Sequence, residues 1–217
     1  MILVNDDVII PERFPDGTFR LMNIPMSEYE DDKNIRFRWE FENNEEMILL
    51  YMLSKHYREH GRTVQYLDLP YVPNARMDRV KSQFEAFTLK YFCEFINSLN
   101  FTQVIVFDPH SQVTINLLDR CRVFTPERDI MVLMDRLILL EKVSHILYPD
   151  AGAMKRYSGG LPYHFLQGEK RRNWETGRID GITIDIPEGD VVTGVLIVDD
   201  LCSYGGTFVA AFDCNGG

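Results

Sequence analysis

The sequence predicts an α/β protein of two halves, each a mostly parallel sheet flanked by helices. Three observations carry this. Apolar runs of strand length alternate with segments of helical period along the chain. The runs TQVIVFD and GVLIVDD are rich in apolar residues, the second almost wholly so, as expected of strands covered on both faces. The strand–helix pattern then repeats after the stretch 122–128, where Thr125 and Pro126 make a joint. The halves are therefore expected at 1–124 and 125–217.

The elements follow in order. Segments 18–24 and 35–41 read as extended, the second alternating as IRFRWEF. A helix is expected over 44–59, with Gly61 suited to its C-terminal cap. TVQYLDL (63–69) reads as a strand, 83–99 as a helix and 102–108 as a buried strand. In the second half a helix over 129–140 precedes strands at 144–150, 161–167 and 194–200.

With 217 residues, 45% hydrophobic and 26% charged, the chain can bury a core of useful size. Its longest apolar run, IMVLMDRLILL, is broken by Asp135 and Arg136, so no membrane span is expected. The N-terminal MILVNDDVII lacks a basic leader and does not read as a secretory signal. Cys93, Cys121, Cys202 and Cys214 lie far apart, which suits a reduced cytoplasmic protein without structural zinc. A formal net charge of −10 opposes binding to a long polyanion, so nucleic acid is not an expected partner. Small phosphorylated ligands need only a local nest of amides and a few cations.

Such a place is the stretch GVLIVDDLCSYGGTF (194–208). An apolar strand ends in Asp199 and Asp200, and a short loop reaches Gly205, Gly206 and Thr207 before a helix. In an open parallel sheet, ligands sit beyond the carboxyl ends of the strands. Glycines let the backbone approach a phosphate, and a helix N-terminus offers unpaired amides. Ser203 and Thr207 add hydroxyls, while the paired carboxylates suit sugar hydroxyls or hydrated magnesium. By itself the stretch is also compatible with a plain strand–turn–helix connection.

This stretch resembles the phosphoribosyl-pyrophosphate-binding motif of the phosphoribosyltransferase superfamily. Ser203-Tyr204-Gly205-Gly206-Thr207 stands where Asp-Thr-Gly-Gly-Thr is common. Four other segments resemble ribose-phosphate diphosphokinases over nearly the whole chain: LPYVPNARMDR (69–79), FDPHSQ (107–112), YPDAGAMKR (148–156) and GEKRRNWETGR (168–178). A fifth and looser one is RFPDGTFRL (13–21), with Thr18 where the family usually has Glu.

The resemblance implies a phosphoribosyltransferase-like fold in both halves, the first contacting ATP and the second ribose 5-phosphate. It implies ATP contacts from Phe14, Asp16, Arg76, Asp78 and His110, with Met77 replacing the usual Gln. It assigns magnesium to His110 and Asp150, with Asp108 as polar support for the histidine. Asp199, Asp200, Ser203, Tyr204, Gly205, Gly206 and Thr207 would bind ribose 5-phosphate. Lys170 and Arg172 match the Lys-x-Arg pair of a catalytic flexible loop, with Gly168 and Gly177 at the ends of a mobile flap. The implied reaction moves the diphosphoryl group of ATP to O1 of ribose 5-phosphate, for nucleotide biosynthesis. A homodimer or larger homo-oligomer is implied, because the Phe14 segment serves a neighbouring subunit. Family members continue past the point where this chain stops, so the second half is expected to be incomplete. Two alternatives share parts of the pattern: a transferase that consumes phosphoribosyl pyrophosphate, and a non-catalytic regulatory homologue.

Overall fold

The structure is a computed structural model that describes residues 1–26, 34–172 and 179–213, without the side chains of 171, 172, 179, 180 and 213. It falls into two compact units, Met1–Phe124 and Thr125–Gly217.

The first unit contains β1 (Ile2–Val4), β2 (Asp7–Ile9), β3 (Glu12–Arg13), β4 (Phe19–Arg20), β5 (Asn34–Trp39), α1 (Glu45–Glu59), β6 (Thr63–Leu69), α2 (Thr88–Ser98), β7 (Gln103–Phe107), α3 (Gln112–Leu117) and β8 (Cys121–Phe124). Its main sheet runs β2-β1-β5-β6-β7-β8, and β3 and β4 form a separate ribbon. Neighbours from β5 to β8 are parallel, while β1 is antiparallel to both β2 and β5.

Alternation along β5 sends Ile35, Phe37 and Trp39 into the core and Arg36 and Arg38 to the other face. Leu49, Leu50, Leu53 and Tyr57 of α1 recur at helical spacing and join the same core. The Phe37 ring meets those of Tyr57 and Phe101 edge-on, with centroids 5.8 and 5.6 Å away. Gly61, at φ +70°, ends α1: its N–H donates to Arg58 O (3.0 Å) and that of Arg62 to Tyr57 O (2.9 Å). This two-bond cap needs a left-handed residue, as expected of Gly61.

The second unit contains α4 (Glu127–Leu139), β9 (His145–Tyr148), α5 (Ala151–Tyr157), β10 (Phe165–Arg172), β11 (Ile179–Ile184), β12 (Val195–Ile197) and α6 (Gly206–Asp213). Its sheet runs β11-β10-β9-β12, with β9 parallel to β10 and β12, and β10 antiparallel to β11. All four residues of β9 are buried, as in a strand covered on both faces. Among the described residues no helix is long and apolar enough to cross a membrane.

Several elements differ from the sequence expectation. The segment 18–24 pairs only at Phe19–Arg20; Leu21 and Ile24 pack on the core without a ladder, and Pro25 O accepts from Tyr57 Oη (2.7 Å). Helix α2 begins at Thr88 rather than 83. Ahead of it, Glu85 Oε2 accepts from Lys81 N and Ser82 Oγ from Phe84 N, local bonds that compete with helix. The largest difference concerns 161–172, where the strand starts at Phe165 and runs on to Arg172, through residues expected in a flap. Partner β11 supplies the ladder, from Gly168↔Ile184 to Arg172↔Ile179. Gly168 is a strand residue wedged between neighbours: a Cβ there would lie 2.6 Å from Ile182 Cγ2 and 3.0 Å from Pro149 O. Gly177 lies outside the described residues.

Gly194, at the entry to β12, is held as closely. A Cβ on it would stand 2.3 Å from the carbonyl oxygen of Lys142, and its own carbonyl accepts from Ser144 N (2.9 Å). Gly194→Ala is therefore expected to cost about 2 kcal/mol of stability through overpacking against backbone. Urea unfolding checks this, and an unchanged midpoint would refute the close contact.

Candidate active site

The densest collection of charge lies at the carboxyl ends of β9 and β12. Strand β9 runs into Pro149 and Asp150, whose extended backbone places its side chain over the start of α5. Asp150 Oδ1 accepts from Ala153 N (2.9 Å), an N-cap that satisfies one free helix donor. Gly152 makes room: a Cβ there would be 3.0 Å from that same oxygen.

Asp150 Oδ2 accepts from Lys170 Nζ at 2.7 Å, and the same ammonium lies 3.4 Å from Asp199 Oδ2. Lys170 reaches this position from a strand, and its side chain is only 9% exposed. Beside it, Asp199 Oδ1 accepts from Asp200 N (3.0 Å), and Asp200 Oδ2 pairs with Arg156 Nη2 at 3.2 Å. Three carboxylates thus surround two cations.

The two carboxylates that share Lys170 titrate in opposite directions. Burial pushes the Asp150 carboxyl up, but the hydrogen bonds from Lys170, Ala153 and Gly152 and the lysine charge outweigh it, and the net shift is downward. For Asp199, burial is the largest influence and the charges of Asp200 and Asp150 add to it. Lys170 opposes them without prevailing, so the shift is upward.

Beyond Asp200 the chain turns through Ser203 and a fully exposed Tyr204 to Gly205, at φ +72°. Gly205 O accepts from Val209 N (2.9 Å) as α6 begins at Gly206, followed by Thr207. A Cβ at Gly205 or Gly206 would meet nothing within 4 Å, so the backbone there faces open space.

The remaining candidate residues belong to the first unit. Phe14, 47% exposed, sits on the β3–β4 turn, where Asp16 Oδ1 accepts from both Thr18 N (2.9 Å) and Thr18 Oγ1 (2.7 Å). The hydroxyl bond, then the amide bond, holds the Asp16 carboxyl below its ordinary range. Arg76 is exposed on the loop after β6, where Asn74 in the left-handed region turns the chain. Asp78 lies 3.9 Å from Arg79. His110 is half-buried after β7, following Asp108, whose N–H donates to Phe124 O (2.8 Å). Arg76 and His110 thus follow the carboxyl ends of adjacent parallel strands.

The structure therefore brings Asp150, Lys170, Asp199 and Asp200 together, sets Ser203, Tyr204, Gly205, Gly206 and Thr207 on the loop and helix start that follow, and places Phe14, Asp16, Arg76, Asp78 and His110 on the first unit. The side chain of Arg172 lies outside the described residues. Sequence reasoning gave Arg156 no role; the signal was its place in YPDAGAMKR, in the last turn of α5. Among the described residues no group of three or more His, Cys, Asp or Glu side chains is arranged to hold a metal ion.

A parallel sheet with acids and a glycine turn at its carboxyl end defines an open α/β protein of the kind in which ligands sit beyond the strand ends. No protein-family model matches the chain. Its sequence is similar to the ribose-phosphate pyrophosphokinases of three organisms. With that of Saccharolobus solfataricus it is 24% identical over 205 residues, covering 91% of this chain and 68% of the relative. With that of Thermococcus kodakarensis it is 29% identical over 214 residues (92% and 69%), and with that of Pyrococcus furiosus 27% over 211 residues (92% and 70%). The fold is similar to that of phosphoribosylpyrophosphate synthetase from Mycobacterium smegmatis. The TM-score is 0.70 at 12% identity, covering 95% of this chain and 67% of that one. The sequence relatives point to one family, the ribose-phosphate pyrophosphokinases, and the solved structure shows the fold.

Asp150 carries two jobs, the cap and the lysine contact. Asp150→Ala is expected to lose about 1 kcal/mol from the cap alone, whereas Asp150→Asn keeps a capping oxygen and loses less. Because the Asp150 carboxyl is depressed, its contribution is present above the ordinary carboxylate range and fades as pH falls through its folded value. The alanine deficit should therefore be largest near neutrality and shrink in acid. Urea titrations across pH check this, and a pH-independent deficit would contradict the ionic part.

Proposed function

We propose that this chain is a ribose-phosphate diphosphokinase, moving the diphosphoryl group of ATP to O1 of ribose 5-phosphate. The observation that carries the reading is the buried Lys170 ammonium held between Asp150 and Asp199 at the carboxyl end of a parallel sheet. In the reaction the O1 hydroxyl attacks the β-phosphorus of ATP. The bond from that phosphorus to the oxygen of the α-phosphate breaks, and AMP leaves with that oxygen.

The residues take the following parts. Asp199 and Asp200 accept from the ribose hydroxyls and fix the direction of O1. The raised carboxyl of Asp199 suits it to take up the hydroxyl proton. Ser203, Tyr204, Gly205, Gly206 and Thr207 surround the 5-phosphate, which the amides at the start of α6 favour. Arg76 lies along the triphosphate, with Asp78 and His110 on the same unit. Phe14 and Asp16 meet the base of ATP bound to a neighbouring copy, which requires a homo-oligomer. Lys170 and Arg172 meet the charge that spreads over the transferring phosphates, so catalysis is mainly positioning and electrostatics.

The donor set suits a hard cation. Asp150 and Asp199 already turn one carboxylate oxygen each toward a single positive charge, within 3.4 Å. Magnesium takes few protein ligands and keeps waters and phosphate oxygens, so Asp150 is the ligand proposed in the second unit and His110 the one proposed in the first. It would supply charge neutralisation on the diphosphoryl oxygens.

AMP formation from ATP and magnesium, with and without ribose 5-phosphate, tests the reading. Strictly ribose-phosphate-dependent AMP is expected. Lys170→Ala should lower turnover about a hundredfold, the usual effect of removing one transition-state contact, while ribose 5-phosphate binding changes only severalfold. AMP release independent of the sugar phosphate would show a different reaction, and full turnover in the variant would remove Lys170 from catalysis.

A further inference from the structure

Helix α5 grips the acid pair of the second unit from both of its ends. At its start, Asp150 holds Lys170 at 2.7 Å, and the same ammonium reaches Asp199 Oδ2 at 3.4 Å. In its last turn, Arg156 pairs through Nη2 with Asp200 Oδ2 at 3.2 Å. Between the two acids, Asp200 N donates to Asp199 Oδ1 (3.0 Å). The proposed reaction gives parts to Asp150, Lys170, Asp199 and Asp200, and none to Arg156.

Three features set this ion pair apart from a surface one. The side chains of Arg156 and Asp200 are only 26% and 13% exposed, so water and salt screen the contact less than at an open surface. Its base is firm: the Arg156 guanidinium lies 5.9 Å from the ring of Tyr157, which is buried and stacks on Tyr148 of β9. Its target stands three residues past Ile197↔Leu147, the last ladder pair of β12, where aim falls to side-chain contacts instead of the sheet. A carboxylate accepts several hydrogen bonds at once, so the arginine contact is compatible with one from a sugar hydroxyl. An acid aimed in advance also loses less freedom when it meets that hydroxyl.

We propose that Arg156 is a positioning residue: it aims Asp200 at a ring hydroxyl, and so sets the preference for a sugar phosphate that keeps both its 2- and 3-hydroxyls. The inference rests on the diphosphokinase reading, in which Asp199 and Asp200 accept from the ribose hydroxyls. A site built to bond a hydroxyl rejects the analogue that lacks it, provided the acceptor is held in place.

Calorimetry on the full chain tests it, with ribose 5-phosphate and its 2-deoxy and 3-deoxy analogues. Wild type is expected to prefer ribose 5-phosphate to each analogue by about tenfold or more, the scale of one hydrogen bond to a charged acceptor. In Arg156→Met the preference over one of the two analogues should fall at least about fivefold, most of that one bond. An arginine with a merely structural role would weaken all three sugars alike and leave the ratios as they were. Each ratio is read within one protein, so partial unfolding cancels from it. If Arg156→Met does not fold, Arg156→Gln, which keeps a polar side chain without the charge, is read in its place. Asp200→Ala should lose the same preference, and Arg156→Met added to it should change that preference no further, as for residues that act as a unit. Unchanged ratios in the Arg156 variant would overturn the proposal, as would a further loss in the double variant. Either result leaves ribose 5-phosphate binding by wild type, and with it the proposed reaction, in place. Wild type that binds none of the three sugars at millimolar concentration would overturn the reaction and this inference together.

Discussion

One interaction ties together the strand ends of the second unit, an ammonium buried between two carboxylates. Taking Lys170 out of water is costly unless opposite charge surrounds it. Asp150 and Asp199 supply that charge, each at the end of a different strand. The requirement therefore joins β9, β10 and β12 at their carboxyl ends, and reaches α5 through the other oxygen of Asp150. Gly168 belongs to the same constraint, because β10 lies so close to Pro149 that a side chain there would collide.

The consequence for function is a site poised around positive charge in a chain that is acidic overall. With a net charge of −10, long-range attraction for phosphates is not available. In the proposed reaction local cations must do the work, and Lys170 and Arg156 are already held by carboxylates. An incoming phosphate or metal ion competes for partners already present instead of filling empty space. The opposite shifts of Asp150 and Asp199 follow from the same crowding: donors around one carboxylate move it downward, while burial and acidic neighbours move the other upward.

Much of this was legible in the sequence where one physical signal dominated. The alternation of IRFRWEF, the seven residues of TVQYLDL and the Gly61 cap correspond to β5, β6 and the end of α1. Legibility failed where a partner far along the chain decided the outcome. GEKRR is polar and reads as a loop, yet β11 pairs with it and makes it strand, which alone puts Lys170 within reach of Asp150 and Asp199. The acids and glycines of the site announced themselves through their motifs. Arg156 did not, since its meaning lies in contact with Asp200, 44 positions away.

A double-mutant cycle on Lys170 and Asp150 tests the central claim most directly. Lys170→Met, Asp150→Asn and the double variant would be compared by hydrogen exchange at the amides joining β9 and β10. A keystone pair predicts that the two single losses fail to add, with a coupling of about 1 kcal/mol or more. Losses that add to within about 0.4 kcal/mol would mean that Lys170 and Asp150 act independently, and the second unit would need another organising interaction.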